Sequence, residues 1–277
     1  MIPVIKVSGK TIPEVWEESV VRTWNEGLDI KTEYDNPKDP PSKDVTMIME
    51  IKEPLAEPRI HRAFPGGLED LEIYRQEVIN GVHDHWVGIS ETSWTYTYHQ
   101  RLTAYNFENI PIHKSKESDI FINQMDYIVE KLTKSNYTRR AQGVTWNTYI
   151  DPPTDDPPCL QRIWCRMPID KDGVYHLEMN THWRSRDAYK AAFMNMWAIT
   201  NWQAEIAKTI EEKIGQKVVV GRYVDIADSY HIYGSYFEEF KGFLKMLETR
   251  EFEDRVWDSK FGEPMFEEAR ERLAKEK

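Results

Sequence analysis

Two thiols, a scatter of paired arginines and a late His-x-Tyr element are the residues of this chain best suited to chemistry. Cys159 and Cys165 stand six residues apart in DPPCLQRIWC. A zinc site wants close ligand pairs flanked by further Cys or His at set spacings, and these two lack both, so no metal is expected. His83 and His85 in GVHDHWV could share one face of a strand, but no further ligand accompanies them. Two cysteines in a chain of 277 residues are also too few for a disulfide framework. Cys165 lies in RIWCRM, which reads as a strand, and free cysteine is among the most often buried residue types. Cys159 differs: Pro157 and Pro158 stiffen the backbone just before it, between an Asp-rich loop and a strand. A side chain held there can face a cleft. A thiol attacks only as thiolate, and guanidinium charge nearby favours that form. From the decapeptide alone, nucleophile and core side chain both stay open.

The elements that must position these groups read as one α+β domain over residues 1–277, without repeat or linker. Hydrophobic residues at 40%, with ten Trp, fourteen Tyr and ten Phe, can fill a sizeable core. IPEVWEESVVRTWNEG, LEDLEIYRQEVING and INQMDYIVEKLTKS have helical spacing, the first two closed by Gly27 and Gly81. VTMIMEIK, AQGVTWNTYI, GVYHLEMNTHWRS and QKVVVGRYVDIADSYHIYG suit strands, the last as one strand or two. The run from Asp187 to Gly215 predicts a long helix buried on much of its girth, and FEEFKGFLKMLETREFEDRVW and the acidic tail look helical. No glycine-rich loop follows a strand, which argues against a dinucleotide fold or a P-loop. A net charge of −11 disfavours nucleic acid, though an anionic small molecule can bind where arginines gather. Neither a signal peptide nor a membrane span is expected, so the cytoplasm is the expected location.

Six motifs in one order change the weight on Cys159. They are Arg139-Arg140, Trp146-Asn147, Pro158-Cys159, Arg184-Ser185-Arg186-Asp187, Asn195 eight residues beyond that Asp, and His231-Ile232-Tyr233. Together they resemble the thymidylate synthase family, which includes the pyrimidine-nucleotide hydroxymethylases, with coverage from about residue 125 to 236. The resemblance implies a large mixed sheet packed with helices, one sheet face forming a homodimer with shared sites. It implies dUMP as substrate and 5,10-methylenetetrahydrofolate or a related methylene-tetrahydropterin as one-carbon donor.

By the same resemblance Cys159 adds to carbon 6 of the base. Arg184 stabilises its thiolate and contacts phosphate with Ser185, while Arg139 and Arg140 reach the phosphate from the partner subunit. His231 and Tyr233 hold the 3′-hydroxyl. Asn195 reads uracil where cytosine-specific relatives carry Asp. Tyr98 helps remove the C5 proton, Asp187 binds the pterin, and Trp86 corresponds to an aromatic of the folate pocket.

The N-terminal third is divergent. Lys43 stands in for an arginine loop on the phosphate, and Glu69, Glu72 and Glu77 compete for the catalytic glutamate, the helix end favouring Glu72. The usual members end in a short apolar tail that closes over the folate, whereas residues 240–277 here read as a charged helical extension. Divergent archaeal-type synthases share such ends. Two alternatives stay open: hydration of the transferred methylene to a hydroxymethyl group, and nucleotide binding on this fold without turnover.

Overall fold

In the computed structural model, which describes residues 1–89, 94–106 and 121–276, a mixed seven-stranded sheet frames the molecule. Its strands are β1 (Val4–Gly9), β2 (Leu28–Ile30), β3 (Ser42–Ile51), β7 (Gln142–Val144), β8 (Leu160–Arg166), β9 (Tyr175–Asp187) and β10 (Val218–Ile232). Two short ribbons, β4 (Ile60–His61) with β11 (Val256–Trp257) and β5 (Tyr105–Asn106) with β6 (Phe121–Ile122), lie outside it. The helices are α1 (Ile12–Glu26), α2 (Leu68–Asn80), α3 (Tyr98–Thr103), α4 (Gln124–Lys134), α5 (Ala192–Ile214), α6 (Phe237–Thr249) and α7 (Ser259–Lys275). Across the sheet the order is β1-β3-β10-β9-β8-β7, with β2 on the other end of β3. The pairs β1–β3 and β9–β10 are parallel, and the remaining neighbours are antiparallel.

Apolar periodicity explains the layers. In β1, Ile5 and Val7 are buried while Val4, Lys6 and Ser8 face out, a two-residue alternation over a short run. α5 buries Phe193, Met196, Trp197, Ile199, Trp202, Ile206 and Ile210 and turns polar only toward its C-terminus, as its sequence predicts. Trp16 of α1 packs edge-on against Phe193 and donates its indole N–H to the Ala188 carbonyl at 2.9 Å. That bond ties α1 to the turn joining β9 and α5. α2 starts with the Gly67 N–H on the Asp70 carboxylate at 2.7 Å and stops at Gly81, whose φ of 61° and close approach to His99 exclude a side chain.

Two readings are corrected, and one left open is decided. AQGVTWNTYI pairs only over Gln142–Val144; Asp151 takes the Asn147 N–H at 2.6 Å and Asn147 takes that of Tyr149 at 3.0 Å, folding the rest into a turn. β10 is a single fifteen-residue strand, bent by register shifts at Val220/Tyr223 and Ala227/Tyr230. EFEDRVW does not extend the α-helix: α6 ends at Thr249, a one-turn 3-10 helix spans Phe252–Arg255 with Arg255 donating to Glu17 at 2.6 and 2.7 Å, and β11 follows.

Candidate active site

The parallel strands β9 and β10 end side by side. Ser185 is in register with Ser229, and Asp187 with His231. Cys159 stands just before β8, whose Leu160 pairs with Trp183, and the Arg184 N–H donates to the Cys159 carbonyl at 2.9 Å. Adjacent strands thus deliver the thiol, the arginine and the His-x-Tyr element to one end of the sheet. The first turn of α5 adds Asn195. Around them lies a cavity of about 330 Å³, lined by Cys159, Tyr98, Ser185, Asp187, Asn195, His231 and Tyr233, and also by Tyr74, Trp183, Arg186, Lys190, Ala191 and Met194.

Cys159 is half-buried. Desolvation pushes its thiol above the ordinary value; Arg184 pulls it down, Asp156 adds to the rise, and Arg186 pulls down again. Arg184 is held there by backbone, its Nε donating to the Pro158 carbonyl at 3.1 Å and an Nη to that of Pro157 at 2.5 Å. Cys165 is sealed in the core and pushed up to about 12 by burial alone, which leaves it inert.

His231 is a neutral acceptor. Ser229 donates to Asp44 at 2.6 Å, so the 3.1 Å contact between Ser229 and His231 Nδ1 requires the imidazole to donate from Nδ1. Burial lowers the ring to about 4, and Nε2 has no partner among the described residues. A hydroxyl entering the cavity meets a lone pair there. Asp187 accepts the N–H groups of Tyr189 and Lys190 at 3.0 and 2.8 Å, yet burial still raises its carboxyl to about 6. Asn195 donates from Nδ2 to the Tyr74 hydroxyl at 2.5 Å, which leaves Oδ1 without a donor among the described residues.

Beneath the cavity Arg186 pairs with Asp225 in a fully buried ion pair. Tyr223 also donates to that carboxylate at 2.7 Å, and the guanidinium lies over the Trp183 ring, 4.2 Å from its centroid.

The structure leaves several expected residues elsewhere. Glu72 is buried away from the cavity and bound to Arg75 at 2.7 Å, Gln76 at 2.8 Å and Arg270 at 3.5 Å. These partners hold its carboxyl below the usual range against the opposing effect of burial. The helix phase is the reason, since Glu72 and Tyr74 point about 200° apart. Lys43 is part of β3, not a loop, and pairs with Asp29 at 2.7 Å. Trp86 stacks on His83 with centroids 3.8 Å apart and touches Trp94, beside a second cavity of about 210 Å³ that Glu77, Trp94, Tyr96, Tyr98 and Asp156 help to line. Arg139 and Arg140 are exposed between α4 and β7 and do not line their own chain's cavity. Tyr74, Lys190 and the Asp44–Ser229 support carry no signal in the sequence that marks them as site residues, and Arg186, though inside the Arg184–Asp187 motif, is given no role there.

A half-buried thiol beside a backbone-held guanidinium, in a cavity with a directional amide and a neutral imidazole, is an arrangement suited to covalent chemistry on a small polar ring. The family model described as thymidylate synthase matches residues 70–255, and the chain belongs to that family. Proteins named "Putative thymidylate synthase" are similar to it: that of Methanocaldococcus jannaschii is 28% identical over 229 residues, covering 80% of this chain and 88% of its own. That of Methanothermobacter marburgensis is 26% identical over 254 residues, covering 87% and 98%. The thermostable thymidylate synthase A of Bacillus subtilis shares the fold, with a TM-score of 0.56 at 15% identity over 84% of this chain and 83% of that one. Among the described residues, no helix is long and apolar enough to cross a membrane.

Proposed function

We propose that this protein is a thymidylate synthase that converts dUMP to dTMP by reductive methylation. The observation that carries the reading is the placement of Cys159 and Asn195 on one cavity wall system, with Asn195 Oδ1 free to accept from the uracil N3–H and its nitrogen side available to O4. Cys159 adds to C6 of the ring, and C5 becomes nucleophilic as an enolate. Arg184 and Arg186 favour the thiolate that begins the step. Ser185 and Arg184 bind phosphate, His231 Nε2 accepts the 3′-hydroxyl beside Tyr233, and Tyr98 orders the water that takes the C5 proton. Arg139 and Arg140, turned outward, complete the phosphate site of a partner subunit, so the active form is a homodimer in the cytoplasm.

The Asp187 carboxylate, at the cavity wall and raised by burial, fits the N–H donors of a pterin ring. When bound, a methylene-tetrahydropterin supplies the one-carbon unit and the reducing equivalent. Tyr98 lines both this cavity and the neighbouring one beside Trp86, and there we place the rest of a folate-type molecule.

One observation favours a second reading, a dUMP or dCMP hydroxymethylase. α7 is fastened to α2 through Arg272–Glu69 at 2.9 Å and Arg270–Glu72, so exclusion of water from the cavity falls to other segments. Water reaching the exocyclic methylene gives hydroxymethyl in place of methyl. A product assay separates the two: methylated base with equimolar dihydropterin supports the synthase, and hydroxymethyl base without pterin oxidation supports the other. Incubation with 5-fluoro-dUMP and the donor should also leave a covalent adduct on Cys159; tight binding without adduct would reduce the protein to a nucleotide binder.

A further inference from the structure

We infer that Tyr74 is the hydrogen-bond donor to the pyrimidine O4. The inference rests on the dUMP reading above and deepens it. None of the three candidate catalytic glutamates of α2 lines the cavity that holds Cys159. Glu69 is bridged to Arg272, Glu72 is enclosed by Arg75, Gln76 and Arg270, and Glu77 contacts His83 at 3.2 Å and lines the neighbouring cavity. Tyr74 does line it, with Asn195 and Cys159.

The hydrogen bond between Tyr74 and Asn195 sets its direction. Asn195 Nδ2 donates to the Tyr74 oxygen at 2.5 Å, which occupies a lone pair and leaves the hydroxyl hydrogen with no acceptor among the described residues. An amide that reads uracil sets its oxygen against N3–H and its nitrogen toward O4. That nitrogen gives a hydrogen to Tyr74, so in this reading the phenol stands between the amide and O4 and passes its own hydrogen on to O4. Addition of the thiolate forms the S–C6 bond from the sulfur pair. The C5=C6 pair moves between C5 and C4, and the C4=O4 pair moves onto O4 as the enolate charge. No proton leaves Tyr74; its hydrogen bond to O4 strengthens as the charge grows. Burial keeps the phenol protonated, so the donor needs no prior protonation step.

The test compares wild type with Tyr74→Phe in two measurements: dUMP affinity without pterin, and the rate of Cys159 adduct formation with 5-fluoro-dUMP and 5,10-methylenetetrahydrofolate. Loss of one preorganised donor should slow the adduct by about 100-fold while affinity changes by only about threefold. A Tyr74→Phe rate within threefold of wild type overturns the inference while the dUMP reading stands. A wild-type protein that binds dUMP but forms no adduct overturns that reading and this one with it. Should Tyr74→Phe fold poorly, 3-fluorotyrosine at position 74 keeps the ring and makes the hydroxyl more acidic. The adduct should then form several-fold faster at neutral pH, and an unchanged rate overturns the inference.

Discussion

The Nε of Arg184 donates to the carbonyl of Pro158 at 3.1 Å, which fixes a guanidinium beside the residue that precedes the thiol. The proline pair thus stiffens the approach to Cys159 and also supplies the oxygens that hold its counter-charge. Without that charge, desolvation and Asp156 would raise the thiol further. Alkylation by iodoacetamide should therefore show a pH midpoint above the ordinary thiol value of about 8.5. In Arg184→Ala the midpoint should rise by about one unit, slowing alkylation at pH 7 roughly tenfold. Cys165 is inert, so Cys159→Ser should abolish native-state labelling. A midpoint unmoved by Arg184→Ala would mean that the guanidinium does not act on the sulfur.

Asp187 predicts a pH dependence of donor binding. Its carboxyl is raised to about 6, and the ionised form accepts from pterin N–H groups with both oxygens and a full charge, which the protonated form cannot do. The KM for the methylene donor should rise as pH falls through 6, and Asp187→Asn should bind weakly with no such inflection. Stability runs in the opposite sense. Between roughly pH 4 and 6 the native carboxyl keeps a proton that the unfolded chain releases, so its contribution to stability falls as pH rises through this window. His231, depressed to about 4, runs the other way from roughly pH 4 to 6.5, gaining as pH rises. The difference in melting temperature between wild type and Asp187→Asn isolates the carboxyl: the variant should gain relative stability from pH 4 to 7. A flat difference would place Asp187 at an ordinary pKa.

Base preference should follow Asn195. With Asp at this position, a carboxylate accepts from the cytosine amine and finds no matched partner in O4. The ratio of kcat/KM for dUMP over dCMP should fall by about 100-fold or more. Steady-state kinetics on both nucleotides check this, and an unchanged ratio would remove Asn195 as the discriminating group.

Much of this site can be read from the sequence because its parts sit at strand ends. Cys159, Ser185, Asp187 and His231 lie in short motifs next to runs of strong strand character, and pairing of β9 with β10 brings Asp187 and His231 level. What stays hidden depends on helix phase and on the partner across the interior. The carboxyl of Glu72 attracts notice in sequence, yet Arg75 and Arg270 claim it, while Tyr74, which reads as an ordinary aromatic, reaches the cavity. Lys43 reads as a loop residue because of the prolines before it; pairing of β2 with β3 is a long-range event that Asp29 and Ile30 do not announce. β1 is hard to read for a related reason: its alternation spans only Val4 to Ser8, and the parallel pairing with β3 that fixes it as a strand is long-range.

Arg186 carries the last prediction, because its charge is both useful and hazardous. It lines the cavity, yet it is 2% exposed and its only ionic partner among the described residues is Asp225, itself completely buried. Thr181 and Tyr223 hydrogen-bond to the same carboxylate oxygen, at 3.3 and 2.7 Å, while the other oxygen of Asp225 and the Nε of Arg186 are buried without a partner among the described residues. Removing one partner of such a pair leaves an uncompensated charge in the interior, at a cost of about 3–5 kcal/mol. Asp225→Ala should lower the melting temperature by about 10 °C. The double variant Arg186→Met, Asp225→Leu removes both charges and should recover most of that loss in a thermal melt, because burying a charge pair gives little net stabilisation over apolar side chains of similar volume. Recovered stability without recovered adduct formation on Cys159 would locate the value of Arg186 in the cavity electrostatics. Full recovery of both would show the guanidinium to be merely structural.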